Sequence, residues 1–235
     1  MKTISAIVPV YNEEKTVHNV LRVLTGSGLF KEVICINDGS TDSSENEICK
    51  NKDVTLLSCK ANKGKGYALS LGIAEASGDL VALIDADLSK LSAQHLKKMI
   101  EALTRADNVD VVIGYEHGEF LSTFSGQRIY RRDALLPLLT KLKATKYGVE
   151  VILNVVFADK TVRYVQLNNL GHVEKLQKDK SIGAVLDYLN QWFVQILGEC
   201  IKSGVPLGQV KRALGEMPSY VTTKLKKSKT ARHIR

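Results

Sequence analysis

The sequence predicts an α/β fold, a mostly parallel sheet with helices on both faces, and three observations carry that prediction. Strand-like apolar runs alternate with stretches of helical periodicity through the first half of the chain, the order of repeated βαβ units. The runs are largely apolar, as strands covered on both faces are. The third observation is Gly78-Asp79-Leu80-Val81-Ala82-Leu83-Ile84-Asp85-Ala86-Asp87, where such a run stops at two carboxylates one residue apart.

The elements follow in order. Strands are expected at 4–10, 32–37, 53–59 and 80–84, separated by helices at 13–25, 42–50 and 65–76. The first helix is read as starting from an Asn12 cap with Glu13 and Glu14 in its first turn, where acids suit the helix dipole. A helix at 92–105 and a strand at 109–114 come next; then 115–127, with Gly118 and Gly126 and no periodicity, reads as a mobile connection. Helical patterns at 131–139 and 147–157 lead to a strand at 162–167. Between Ile182 and Ile201 an apolar stripe at helical spacing reads as packing on the domain, with a membrane-surface helix as the alternative. The expected division is a domain over 1–180, in two halves of about 1–90 and 91–180. A helical extension over 181–223 and a basic flexible tail over 224–235 follow.

The net charge of +8 is localised: 224–235 holds six of the 33 basic residues and no acid, so the rest is nearly balanced against 25 acidic residues. A balanced body argues against a broad nucleic-acid groove and leaves the tail as a candidate contact with anionic lipid or nucleic acid. Cys35, Cys49, Cys59 and Cys200 show no metal-binding spacing and read as reduced, mostly buried thiols of a cytoplasmic protein. Met1-Lys2-Thr3-Ile4 runs straight into the first strand, so no secretory leader is expected. No stretch reaches the ~18 uninterrupted apolar residues of a spanning helix.

Each candidate site follows a strand, and in parallel sheets ligands collect at the carboxyl edge. Val8-Pro9-Val10-Tyr11-Asn12-Glu13-Glu14 follows the first and Asn37-Asp38-Gly39-Ser40-Thr41-Asp42 the second; Asp38 is suited to a base imide or a ribose hydroxyl. Asn62-Lys63-Gly64-Lys65-Gly66 follows the third, with glycines that permit close backbone approach and lysines suited to phosphate at a helix N-terminus. Asp85 and Asp87 supply hard oxygen ligands for Mg²⁺ or Mn²⁺. Taken singly, each loop also reads as an ordinary turn or helix start.

Together and in this order, these four segments resemble family 2 glycosyltransferases of the GT-A fold, specifically over residues 4–90. The resemblance implies nucleotide contacts from Pro9, Tyr11, Glu13, Asp38, Lys63, Asp85 and Ala86, with a UDP-sugar favoured and a GDP-sugar the alternative; Asn37 stands where many relatives have Asp. It implies a metal held by Asp85 and Asp87. Ser125-Gly126-Gln127-Arg128, Tyr147-Gly148-Val149-Glu150 and His172 with Lys175 and Lys178 are similar to the acceptor-side features of polyprenyl-phosphate sugar transferases and glucosyl-3-phosphoglycerate synthases. On that likeness Asp87, Arg128 and Glu150 are candidate catalytic residues, and His172 a candidate third metal ligand. A surface arginine paired with Asp133 is the alternative for Arg128, whose planar fork otherwise suits an anionic acceptor.

The function expected is metal-dependent, non-processive transfer of a sugar from a nucleotide-sugar to a small or lipid-linked acceptor bearing phosphate or carboxylate. The Gln-x-x-Arg-Trp element of processive synthases is absent. The alternatives are a sugar nucleotidyltransferase and a non-catalytic membrane- or nucleic-acid-associated protein using the tail. Peripheral membrane contact through 224–235 and a homo-oligomer stay open.

Overall fold

A computed structural model describes residues 2–105, 109–116, 125–146 and 148–171. Among these, seven strands form one sheet in the order β3-β2-β1-β4-β6-β5-β7. β1 (Ile4–Val10), β2 (Glu32–Asn37), β3 (Val54–Ser58) and β4 (Leu80–Leu83) are parallel neighbours, and β5 (Val111–Tyr115) pairs in parallel with β7 (Val162–Gln166). β6 (Arg128–Arg131) is antiparallel to both β4 and β5 and lies between them. β1, β2 and β4 are largely apolar because helices cover both faces of the sheet. β4 is buried at every residue, whereas β3, at the sheet edge, is only partly covered.

Two cores result, one on each face. α1 (Val17–Gly26) and α4 (Ala93–Thr104) enclose Leu21, Leu24, Val33, Cys35, Leu96 and Met99 on the first. α3 (Lys65–Glu75) covers Ile7, Ile34, Ile36, Leu69 and Ile73 on the second. α3 lies so close to the sheet that a Cβ on Gly72 would stand 2.5 Å from Ile7 Cγ2 and 2.7 Å from Ile36 Cδ1. Gly72→Ala is therefore expected to destabilise the fold by about 1–3 kcal/mol despite the better helix propensity of alanine, because overpacking outweighs it. Urea unfolding measures this; an unchanged midpoint would contradict such close packing.

Several expectations need correction. β6 occupies 128–131, where no strand was expected and where 131 was read as the start of a helix. The helix expected at 131–139 is split into α5 (Arg132–Leu135), a 3₁₀ turn (Leu136–Leu138) and α6 (Leu139–Lys143), since Pro137 has no N–H for an α-helical bond. α1 starts at Val17, not 13, and Asn12 does not cap it: Asn12 takes a left-handed φ of 56° and its Oδ1 accepts the Thr41 N–H at 2.8 Å. Cys49 is exposed and Cys59 half-buried; only Cys35 is buried of these three. α2 (Ser44–Cys49) and α7 (Val149–Val156) lie within their expected ranges. The 182–201 helix, His172, Lys175, Lys178 and the 224–235 tail lie outside the described residues. No helix among the described residues is long and apolar enough to cross a membrane.

Candidate active site

Because β1 to β4 run in parallel, the segments after them all emerge at one edge of the sheet. The antiparallel course of β6 brings its start to the same edge, with Arg128 in register with Leu83. Ser125-Gly126-Gln127 is thereby delivered beside the end of β4.

The first two loops are laced together by side chains accepting backbone N–H groups. Ser40 Oγ accepts from Asn12 at 3.0 Å, Ser44 Oγ from Glu13 at 2.8 Å, and Glu14 Oε2 from Ser43 at 3.0 Å. Asp42 Oδ2 accepts from Glu14 at 3.2 Å and Asp42 Oδ1 from Ser44 at 2.9 Å; burial opposes its charge, but these bonds outweigh it and lower its pKa. Pro9 sits near the end of β1, Glu13 is half-buried and Tyr11 is 45% exposed at the loop tip.

Asp38 is buried, and its carboxylate staples the second loop to the third. Oδ1 accepts the Lys63 N–H at 2.9 Å and Oδ2 the Gly64 N–H at 2.7 Å. Gly64 has a φ of 101° and a Cβ there would stand 2.6 Å from Lys146 Cα, so the stapled turn requires glycine. Lys63 is exposed, its Nζ 4.4 Å from the centroid of the Tyr67 ring and donating to the Tyr67 hydroxyl at 3.2 Å. In Asp38→Asn an amide N–H₂ must face one of these donors. Nucleotide binding is expected to weaken by about 1–3 kcal/mol through the displaced Lys63-Gly64 turn, as nucleotide titration would show; equal affinity would remove Asp38 from nucleotide recognition.

The centre of the site is an ionic cluster. Lys65, the first residue of α3, places Nζ 2.6 Å from Asp85 Oδ1 and 2.6 Å from Glu150 Oε1. Glu150 lies in the first turn of α7, where a carboxylate suits the helix dipole. Burial disfavours the charge of both groups, yet their attraction prevails. The Lys65 pKa is raised by Asp85 and Glu150, and the Glu150 pKa is lowered by Lys65 and by Arg128. Asp85 Oδ2 accepts from Gln127 Nε2 at 3.1 Å, and a Cβ on Gly126 would overlap the Asp85 carboxylate. Both Asp85 oxygens therefore already have protein partners. Ala86 is buried, and Asp87 is half-buried in the turn beyond β4.

The fit for a divalent cation can be judged from these donors. Among the described residues no three His, Cys, Asp or Glu side chains converge as a closed metal cage. Mg²⁺ and similar ions are commonly held by one or two carboxylates together with substrate phosphates, and the Asp85-Ala86-Asp87 strand end suits that open arrangement. Asp85 is engaged by Lys65 and Gln127, and Asp87 is the second carboxylate at this strand end that could hold such an ion.

Arg128 is not the surface arginine paired with Asp133, nor does its fork open onto solvent. It is 1% exposed. Nε donates to Ser125 O at 2.6 Å, and Nη1 to Asn154 Oδ1 at 2.6 Å, to the Tyr130 hydroxyl at 3.2 Å and to Glu150 O at 3.5 Å. An antiparallel strand between apolar neighbours leaves this side chain no route to water, so it joins β6 to α7 instead. Sequence reasoning left Gln127, Gly126 and Asn154 without roles and gave Lys65 only a phosphate-binding one. The alternation of small and polar residues just before a strand is the single local signal for Gly126 and Gln127.

The family description "Glycosyl transferase family 2" matches residues 5–131, more than half of the chain. Glucosyl-3-phosphoglycerate synthase of Mycolicibacterium smegmatis is 30% identical over 122 residues, 48% of this chain and 40% of that protein. A dolichyl-phosphate β-glucosyltransferase of Trichomonas vaginalis is 31% identical over 123 residues, 46% of this chain and 36% of that protein. The chain thus spans less than half the length of these relatives. Among solved structures, glucosyl-3-phosphoglycerate synthase of Mycobacterium tuberculosis with Mn²⁺, UDP-glucose and phosphoglyceric acid superposes with a TM-score of 0.67 at 23% identity, over 87% of this chain and 81% of that one. The fold is the GT-A arrangement expected from the sequence, and the chain belongs to glycosyl transferase family 2.

Proposed function

We propose that this chain transfers a sugar from a nucleotide-sugar, a UDP-sugar before a GDP-sugar, to a small or lipid-linked acceptor carrying phosphate or carboxylate, without processivity and with Mn²⁺ or Mg²⁺. The observation that carries the reading is the convergence of Asp85-Ala86-Asp87, Lys65 and Glu150 at the sheet edge that also holds the three loops. The names of the two relatives support the acceptor class, since each pairs a glucosyl group with a phosphate-bearing acceptor. The M. tuberculosis structure was solved with Mn²⁺ and UDP-glucose, which supports the donor and the ion.

In this reading Pro9, Tyr11 and Glu13 receive the base and ribose, and Asp38 acts by shaping the turn that presents Lys63. Asp87 holds the cation, with His172 as a second ligand and Asp85 as the group that fixes Lys65. A divalent cation bound there neutralises charge on the departing diphosphate. Lys65 adds a positive charge on the same side, at the N-terminus of α3 where an anion is favoured. The acceptor oxygen bonds to the anomeric carbon and the bond to the diphosphate breaks, its electron pair leaving on the nucleoside diphosphate; an ionised phosphate or carboxylate oxygen has no proton to lose, and a hydroxyl acceptor passes its proton to the departing diphosphate. Glu150 orients the acceptor, and Arg128 is a positioning residue that secures α7 through Asn154 and the Glu150 carbonyl. The six basic residues of 224–235 support peripheral contact with anionic lipid on the cytoplasmic face.

Donor hydrolysis across a panel of nucleotide-sugars, with Mn²⁺, with Mg²⁺ and with chelator, tests the reading. Metal-dependent release of a nucleoside diphosphate from a UDP-sugar is expected. Release from no member of the panel would overturn it.

A further inference from the structure

We infer that Lys65 is shared between the donor and acceptor halves of the site: Glu150 competes with the donor's diphosphate for one ammonium group and is released toward the acceptor only when the donor is in place. This rests on the donor reading above and adds to it an order of events. The ammonium is held from two segments far apart in sequence, Asp85 after β4 and Glu150 on α7, both at 2.6 Å. Two of its three N–H groups are thereby used. The Lys65 side chain keeps 32% exposure and Glu150 13%, so an anion can approach the lysine from solvent. It stands beside Gly64 and Gly66 at the start of α3, a place that favours phosphate.

The two carboxylates differ in what else holds them. Asp85 is held by Gln127 at 3.1 Å and packs against Gly126, where its carboxylate fills the place a Cβ would take. Glu150 Oε1 has Lys65 as its ion-pair partner; Arg128 acts on the carboxylate through its charge and donates from Nη1 to the Glu150 carbonyl at 3.5 Å, not to the carboxylate. A diphosphate carries more charge than one carboxylate, and a lysine ammonium is a point charge on a flexible stem. When the two compete, Glu150 is the partner that gives way. Its carboxylate is then left at the first turn of α7, where an acceptor is to be oriented. By reciprocity, whatever draws Glu150 from Lys65 strengthens donor binding by the same factor.

The test is a double-mutant cycle on the full chain, read by calorimetric titration of UDP in the presence of Mn²⁺. Glu150→Gln should bind UDP about tenfold more tightly than the wild type, since a competitor for Lys65 has been removed. Lys65→Met should bind more weakly, and Glu150→Gln added to Lys65→Met should then change nothing. Unchanged or weakened binding in Glu150→Gln overturns the inference. So does tightening that persists in Lys65→Met, because it would report general charge removal and not competition for this lysine. If a variant fails to fold, amide exchange on the wild type decides: UDP with Mn²⁺ should accelerate exchange in the first turn of α7, and unchanged or slowed exchange there overturns the proposal. A wild type that binds no UDP with Mn²⁺ would overturn the donor reading as well, which separates the two failures.

Discussion

Asp87→Ala is expected to lower turnover by about 10²- to 10³-fold, the loss found when a group aimed at developing charge is removed from a closed site. Asp85 is occupied by Lys65 at 2.6 Å and by Gln127 at 3.1 Å, so the neighbouring carboxylate cannot take over the cation without breaking both contacts. Asp87 lies beyond the packed residues of β4, and the variant should melt close to the wild type. Steady-state kinetics over a Mn²⁺ titration separates the possibilities. Turnover that recovers fully at high Mn²⁺ would mean that Asp87 only tunes affinity, and turnover equal to the wild type at all concentrations would remove it from the metal site.

Arg128→Lys is expected to act on stability first, costing about 3 kcal/mol, because hydrogen bonds to a buried charge contribute roughly 1.5–3 kcal/mol each and a point ammonium cannot reproduce the fork. Nε and Nη1 reach Ser125 O and Asn154 Oδ1 on different elements, both at 2.6 Å. A lysine amine can reach one of them and leaves the other buried without its donor. Urea unfolding should show a lower midpoint with an unchanged slope. A variant as stable as the wild type but with a raised acceptor KM would restore the sequence expectation that Arg128 meets the acceptor directly.

The succession of strands and helices in the first half was legible because strand, turn and helix signals there are local. Val8 to Glu14, Asn37 to Asp42, Asn62 to Gly66 and Asp85 to Asp87 each stand at the end of a strand-like apolar run, and parallel topology then places them at one edge. What the sequence hid was long-range or a matter of orientation. Lys65 and Glu150 are 85 positions apart and meet only because α7 packs at the same edge as α3. β6 was missed because four residues containing two arginines, Arg128-Ile129-Tyr130-Arg131, with a third, Arg132, following, do not look like an interior strand. They form one because Ile129 and Tyr130 face the two cores while Arg128 finds Ser125, Asn154 and Glu150 in place of water. Asp38 was read as a base or ribose contact, and its oxygens also accept the Lys63 and Gly64 N–H groups, a pairing that nothing in its local sequence signals.

The measurement that tests the account most directly is a calorimetric titration of UDP into the wild-type chain, once with Mn²⁺ and once with the metal chelated. The account predicts saturable one-site binding with Mn²⁺ that is lost, or weakened by at least about tenfold, on chelation, as a site completed by a cation between Asp87 and diphosphate requires. Equal affinity in the two titrations, or no binding in either, would contradict it.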